Sequence, residues 1–238
     1  MAAKISVCVP MYNESSIIEA TAKTLHKYLT DTFEDFELIF IDDGSKDNSA
    51  GLVKDLRLAN TEVLAYTPNR GKGCAVRTGM LETTGEIAMF IDADLAYGTD
   101  VIKQAYDALM AAPEKNVLVG SRTLHPEGYE GYTLIRKIAS KTYIKVLSVY
   151  GGLTLSDSQC GCKAYKGSAV KEIFSRCKTD GFAFDFETIL WAQKLGYGFV
   201  EMPVKIINHR ESKVNVVSDT FKMLKELKVI KQRVKGEK

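Results

Sequence analysis

Five short apolar runs, each followed by a polar turn and most by a helical stretch, constrain this chain more than any other feature. They read ISVCV (5–9), ELIFI (37–41), EVLAY (62–66), EIAMFI (86–91) and VLVG (117–120). Such runs, nearly continuous and rich in Val and Ile, are the pattern of strands covered on both faces. Helical stretches fall at 15–29, 47–58, 72–83 and 99–111, the first with Ser16 and Glu19 spaced as a capping box. This alternation predicts an α/β fold, a mostly parallel Rossmann-like sheet with helices on both faces.

Ligands of such sheets sit beyond the carboxyl ends of the strands. At those ends stand PMYNE, DDGS, NRGKG, DADL and GSR, five polar turns converging on one edge. The second half is less regular. A loop at 123–131 leads to a helix at 132–149 and a short strand near 161–165. Helices at 167–176 and 185–195 follow, then FVEMP and VKIIN as a hairpin, and a basic helix from 218.

Asp92 and Asp94 in DADL are spaced i and i+2, which on a strand puts both side chains on one face. Two carboxylates so placed can hold a hard cation, Mg²⁺ or Mn²⁺, against phosphate oxygens; helix capping with solvation is the plainer alternative. Asp42 and Asp43 close the second run. They read either as capping acids of a βα loop or as acceptors for a base N–H or ribose hydroxyls. Asn69-Arg70-Gly71-Lys72-Gly73 precedes a helix whose first amides can approach a phosphate. It is not a Walker loop, because G-x-x-x-x-G-K-[ST] is absent.

PMYNE, DDGSKDNS, NRGKGCAVRTG, DADL, GSR, DSQCGCKAY and GFAFDFE, in this order, resemble glycosyltransferase family 2. Within it they are similar to the polyprenyl-phosphate hexosyltransferases, the group of the dolichyl-phosphate glucosyltransferases and mannose synthases. The likeness spans residues 4–213 and implies a GT-A fold over 1–217, with a nucleotide-sugar-binding half (1–121) and an acceptor half (122–217). By the resemblance, Pro10, Tyr12, Glu14, Asp42 and Asp43 line the nucleoside pocket. Lys72 lies near the diphosphate, Asp92 and Asp94 hold it through the metal, and Ala93 between them belongs to the nucleotide-sugar-binding residues. Arg122, Arg136 and Ser140 match positions that hold the acceptor phosphate, and forked guanidiniums suit that task. Ser212 and Lys213 match a G-x-S-K-L loop that closes over the donor, although the loop glycine is missing here, and they too are candidates to bind the acceptor phosphate. Asp185 in GFAFDFE reads either as a ligand of sugar hydroxyls or as the N-cap of its helix. Mannose synthases carry a Gln shortly after D-x-D; Leu95-Ala96-Tyr97 supplies none, which favours a UDP-hexose over GDP-mannose.

A phosphate acceptor bears on the chemistry. Its second pKa of about 6 leaves it largely dianionic, so attack on the anomeric carbon with inversion needs no base. Asp94, Arg122, Arg136 and Asp185 are then the catalytic candidates. A soluble or polysaccharide acceptor would need a base, for which Asp185 is the candidate. A nucleotidyltransferase would need a Gly-rich triphosphate loop where PMYNE stands. A silent nucleotide-sugar-binding subunit would not need intact acids at 42, 43, 92 and 94.

Composition adds partners. The chain carries +2 overall, yet residues 218–238 hold seven Lys/Arg against three Asp/Glu. A basic end on a near-neutral body points to an anionic membrane surface, with no nucleic-acid partner expected. Phe221, Leu224, Leu227, Ile230 and Val234 form a stripe on that helix, read as core packing or as an interfacial face. Residues 131–155 contain Arg136, Lys137, Lys141 and Lys145 and no acid. Five cysteines without a C-x-x-C pair read as reduced thiols. The first apolar run is too short for a signal peptide, and no stretch of about 18 apolar residues spans a bilayer. The expectation is a cytoplasmic protein peripheral to the membrane.

Overall fold

The apolar runs all become strands, and their side chains alternate between two hydrophobic layers. In the first strand Ile5, Val7 and Val9 enter one layer while Cys8 enters the other. The computed structural model describes residues 4–208 and 216–237, without the side chains of 135, 136, 139 and 216–225. Among the described residues the strands are β1 (Ile5–Met11), β2 (Phe36–Asp42), β3 (Thr61–Ala65), β4 (Ile87–Phe90), β5 (Val117–Ser121), β6 (Lys163–Lys166) and β7 (Phe199–Pro203). They make one seven-stranded sheet in the order β3-β2-β1-β4-β6-β5-β7. Only β6 runs antiparallel to its neighbours, so the sheet is mostly parallel.

The helices are α1 (Ile18–Thr32), α2 (Ser49–Asp55), α3 (Lys72–Glu82), α4 (Asp100–Met110), α5 (Leu134–Gly151), α6 (Gly167–Arg176), α7 (Phe184–Lys194) and α8 (Val216–Gly236). Buried residues of α1, α2 and α4 share one layer; those of α3, α6, α7 and α8 share the other. Burial on both faces removes polar residues from β1, β2, β4 and β5, whereas β3, at the sheet edge, is partly exposed; the polar turns at the strand ends are left as the place for chemistry.

Three local expectations are corrected. Ser16 is not the N-cap of α1: that place falls to Ile17, and Glu14 O accepts from both Ile17 and Ile18 N–H in the turn that starts the helix. β4 ends at Phe90, so Asp92 and Asp94 do not share the face of a strand. The last ladder bond is Ile91 N–H to Cys8 O, and the chain then turns, with Leu95 N–H on Asp92 O and Leu95 at φ +48°. VKIIN makes no hairpin with FVEMP, because β7 pairs in parallel with β5 and Val204 N–H extends that ladder to Ser121 O. Ile207 and Asn208 donate their backbone N–H to Ala96 O instead. The C-terminal stripe takes the core-packing reading: Leu227, Ile230 and Val234 are buried in the same layer as α7.

Candidate active site

At the carboxyl edge of β1, β2 and β3 the loops are sewn together by neutral and carboxylate hydrogen bonds. Pro10 lies in β1, and Tyr12 and Glu14 lie in the loop after it, all partly exposed. That loop donates Asn13 N–H to Ser45 Oγ (2.9 Å), Glu14 N–H to Ser49 Oγ (2.8 Å) and Ser15 N–H to Asp47 Oδ2 (3.1 Å). Asn13 Oδ1 accepts Lys46 N–H in return. Asp42 Oδ1 accepts Ser45 N–H at 3.0 Å. The buried Asp43 carboxylate takes Arg70 N–H and Gly71 N–H, both at 2.8 Å, and Asn69 Nδ2 at 2.7 Å. Asp43 thus anchors the NRGKG turn.

The glycines of that turn serve close packing. A Cβ at Gly71 would lie 2.5 Å from Asp180 O, and one at Gly73 would lie 2.5 Å from Thr179 O. The first amides of α3 do not face a phosphate, as the sequence reading had them: Gly73 and Cys74 N–H donate to Asp180 O, at 2.8 and 3.3 Å. The side chain of Lys72 is what remains for an anion. It reaches Asp92 Oδ1 at 2.5 Å. Burial works against the Lys72 ammonium, yet Asp92, Asp185 and Asp94 around it hold its pKa above the ordinary value.

The D-x-D turn is braced from three sides. Thr21 Oγ1 donates to the carbonyl of buried Ala93 at 2.7 Å. Asn208 Nδ2 donates to Leu95 O at 2.9 Å, and Asp94 Oδ1 accepts Ala96 N–H. A Cβ at Gly161 would lie 2.7 Å from Asp92 Oδ2, so a side chain there would push the carboxylate aside. Burial, then the Asp92 charge, pushes the Asp94 carboxyl up; Ala96 N–H and Lys72 pull the other way. Two hard, partly buried oxygen donors that repel one another fit a divalent cation. Among the described residues no group of three His, Cys, Asp or Glu forms a metal site, so other ligands would come from diphosphate and water.

Behind this turn Asp185 is buried in the first turn of α7. It is not the N-cap: that place falls to Ala183, without a side-chain bond. Asp185 Oδ1 pairs with the fully buried Lys163 Nζ at 2.5 Å, and Lys163 also donates to Cys160 O at 2.7 Å. Burial raises the Asp185 pKa, while Lys163 and Lys72 lower it. The next acid of that helix, Glu187, is fully buried. It accepts Lys178 and Thr179 N–H on one oxygen and Arg233 Nη1, at 2.5 Å, on the other. Arg233 of α8 therefore fixes the loop that receives the α3 amides. Cys160 and Cys162 are free and buried, and burial pushes the Cys160 thiol up to about 11.

Arg122 is buried and its fork is not open to a phosphate. Nε and Nη2 take the two oxygens of fully buried Asp157, at 2.7 and 2.9 Å. Nη1 lies 3.1 Å from Tyr132 Oη, and the guanidinium stands 5.6 Å from the Tyr129 ring. Ser140 lies half-buried on α5, one turn beyond Arg136, whose side chain is outside the described set. Ser212 and Lys213 lie outside the described residues.

Sequence reasoning missed Asp157, Lys163, Asn208 and Arg233. For Lys163 a signal existed: a lone cation inside the apolar run of CKAY requires a buried anion.

The profile of glycosyl transferase family 2 matches residues 6–174. The chain is similar to a dolichyl-phosphate beta-glucosyltransferase of Dictyostelium discoideum, 31% identical over 96% of this chain and 74% of the relative. The Saccharomyces cerevisiae enzyme of that name is 28% identical over 95% of this chain and 74% of its own length. A UDP-N-acetylglucosamine–dolichyl-phosphate N-acetylglucosaminyltransferase of Methanococcus voltae is 27% identical, with 85% of each chain covered. Among solved structures, glucosyl-3-phosphoglycerate synthase of Mycobacterium tuberculosis with UDP superposes at a TM-score of 0.73, 18% identical, covering 96% of this chain and 80% of that one. The same enzyme with Mg²⁺ and UDP gives 0.72, 17% identical, over 99% of this chain and 80% of that one. The shared architecture is the GT-A fold.

Proposed function

The chain belongs to glycosyl transferase family 2, and from that premise we propose that it moves a hexose, glucose first, from a UDP-sugar to a polyprenyl phosphate. The acceptor and the sugar follow the names of its relatives. The observation that carries the donor side is the contact of Lys72 with Asp92 beside Asp94, at the edge where five polar turns converge. Residues 1–121 then form the donor half, 122–217 the acceptor half, and 218–238 a helical brace.

In this reading Pro10, Tyr12, Glu14, Asp42 and Asp43 form the nucleoside side of the pocket, Asp43 by holding the NRGKG turn in place. Lys72 leaves Asp92 for the diphosphate when donor binds. Asp92 and Asp94 hold Mg²⁺ or Mn²⁺, which supplies charge stabilisation of the leaving UDP. The acceptor phosphate is already anionic, so no side chain removes a proton; the protein brings two anions together and orients them. Arg136, Ser140, Ser212 and Lys213 receive that phosphate. Arg122, its fork spent on Asp157, presents only its Nη1 edge beside Tyr132. Asp185 faces the sugar while Lys163 balances its charge.

Among the described residues no helix is long and apolar enough to cross a membrane, and attachment at the cytoplasmic face is part of the proposal. Thermal-shift screening of UDP- and GDP-sugars with Mn²⁺ tests the donor. Stabilisation by UDP-glucose is expected, since a ligand that binds only the folded state raises its stability. Stabilisation by GDP-mannose alone overturns the reading.

A further inference from the structure

Helix α5 has two apolar faces. Ile144 and Leu147 are buried against the core, with Tyr143 and Tyr150 partly buried beside them. On the other side Leu134, Ile138, Val146 and Val149 are 73%, 57%, 40% and 78% exposed. At about 100° per residue these four fall within roughly a third of the circumference, opposite Leu147. They run about 22 Å along the helix. Lys145 falls within this stripe, Lys141 at its edge and Lys137 beside that edge, all exposed, and residues 131–155 hold no acid. Lys137 and Lys141 keep their ammonium groups 5.8 and 5.4 Å from the Tyr129 ring, at the end of the stripe nearest Arg122.

A helix apolar all round is normally covered all round, and a contiguous exposed apolar patch marks a binding surface. The C-terminal helix is the contrast. Its Leu227, Ile230 and Val234 point into the core, and among its described side chains Val229 is the one large exposed aliphatic.

We propose that the exposed face of α5 docks the protein on a bilayer containing anionic phospholipid. Its aliphatic side chains enter the headgroup–acyl boundary, and Lys137, Lys141 and Lys145 meet the phosphates. The charge pattern selects this occupant: three cations without an acid, alternating with aliphatics, match a surface that is apolar and anionic together. Arg136 and Ser140 sit on the same helix, so docking brings the acceptor end to the lipid; in that respect the inference rests on the function proposed above.

Flotation with vesicles of phosphatidylcholine, with or without one third phosphatidylglycerol, tests it at low salt. The wild type is expected to float with the anionic vesicles. Leu134→Ser with Val149→Ser lowers partitioning at least about 10-fold. Removing the three lysines lowers it on the order of 100-fold, at about fivefold each, and abolishes the preference for phosphatidylglycerol. Val229→Ser on α8 changes nothing. The UDP-induced thermal shift of each variant checks that it is folded. Absence of wild-type binding, α5 variants that float like wild type, or loss on Val229→Ser alone overturns the proposal. So does a wild-type dimer that the α5 variants dissolve, which makes the face a contact between copies. Vesicle binding that depends on α5 in a protein that ignores UDP-sugars keeps the docking surface and removes the proposed reaction.

Discussion

The loops of the first half are laced to their neighbours by polar hydrogen bonds, whereas the second half is held by buried ion pairs between distant residues. Asn13, Asp42, Asp43 and Asp47 bond mainly to backbone N–H groups and hydroxyls of adjoining turns. Arg122 pairs with Asp157, Lys163 with Asp185 and Arg233 with Glu187. Lacing of this kind distributes small contributions over many contacts, about 1 kcal/mol each. A buried ion pair concentrates its effect: losing one partner strands the other charge. The proposed donor edge should therefore tolerate single losses, and the proposed acceptor flank should not.

The largest expected effect tests the flank. Arg233→Met leaves fully buried Glu187 without its cation and should cost about 3–5 kcal/mol in urea unfolding. In a Glu187→Gln background the same change should cost far less. Because the stranded group also holds the loop under α3, Arg233→Met should weaken UDP binding as well; equal affinity would make α8 a brace for stability alone. Asp94→Ala, at the donor edge, should lower kcat by on the order of 10²–10³ while urea unfolding changes little. Full activity of that variant in a metal-free assay would remove the metal role from the D-x-D turn.

Gly73→Ala probes where the two regions touch. Its methyl would meet Thr179 O at 2.5 Å, and the forced shift of α3 should cost about 1–3 kcal/mol. The accompanying displacement of Lys72 should raise KM for the donor. A neutral Gly73→Ala would mean that the glycine serves a ligand rather than the 179–181 loop.

The residues of the carboxyl edge were readable because sheet topology gathers them. Strand runs without polar residues announce coverage on both faces, and every turn after them must then sit on one edge. Asp92, Asp94, Asp43 and Lys72 each occupy such a turn. Asp157, Lys163 and Arg233 could not be found that way. Each is defined by a partner 22 to 46 residues away, and pairing at that distance has no periodicity. The same limit left Asp185 open between a sugar ligand and a cap, because its pairing with Lys163 is not visible along the chain. The tail helix shows the converse. Its stripe was readable, but whether a stripe faces protein or lipid is decided by what packs on it, and α7 does.

The smallest predicted effect belongs to the lacing. Burial opposes the charge on Asp47, but hydrogen bonds from Ser49 and Ser15 bring its pKa down to about 2. A carboxyl lower in the folded than in the unfolded chain adds stability above its unfolded value, 3.8, and loses it as pH falls toward 2. Asp47→Asn should remove a small share of the stability difference between pH 5 and pH 2, seen in paired melting curves. An unchanged pH profile would show that the lace at Ser15 and Ser49 does not depend on charge.

Transfer itself tests the central claim most directly. The protein is incubated with radiolabelled UDP-glucose, a polyprenyl phosphate in detergent and Mn²⁺, and the label is followed into the organic phase. The account predicts an acid-labile glycolipid formed with one UDP released per glucose, and about 100-fold less of it with Asp94→Asn. Label that stays in the aqueous phase although UDP-glucose binds, or transfer by Asp94→Asn at the wild-type rate, would contradict it.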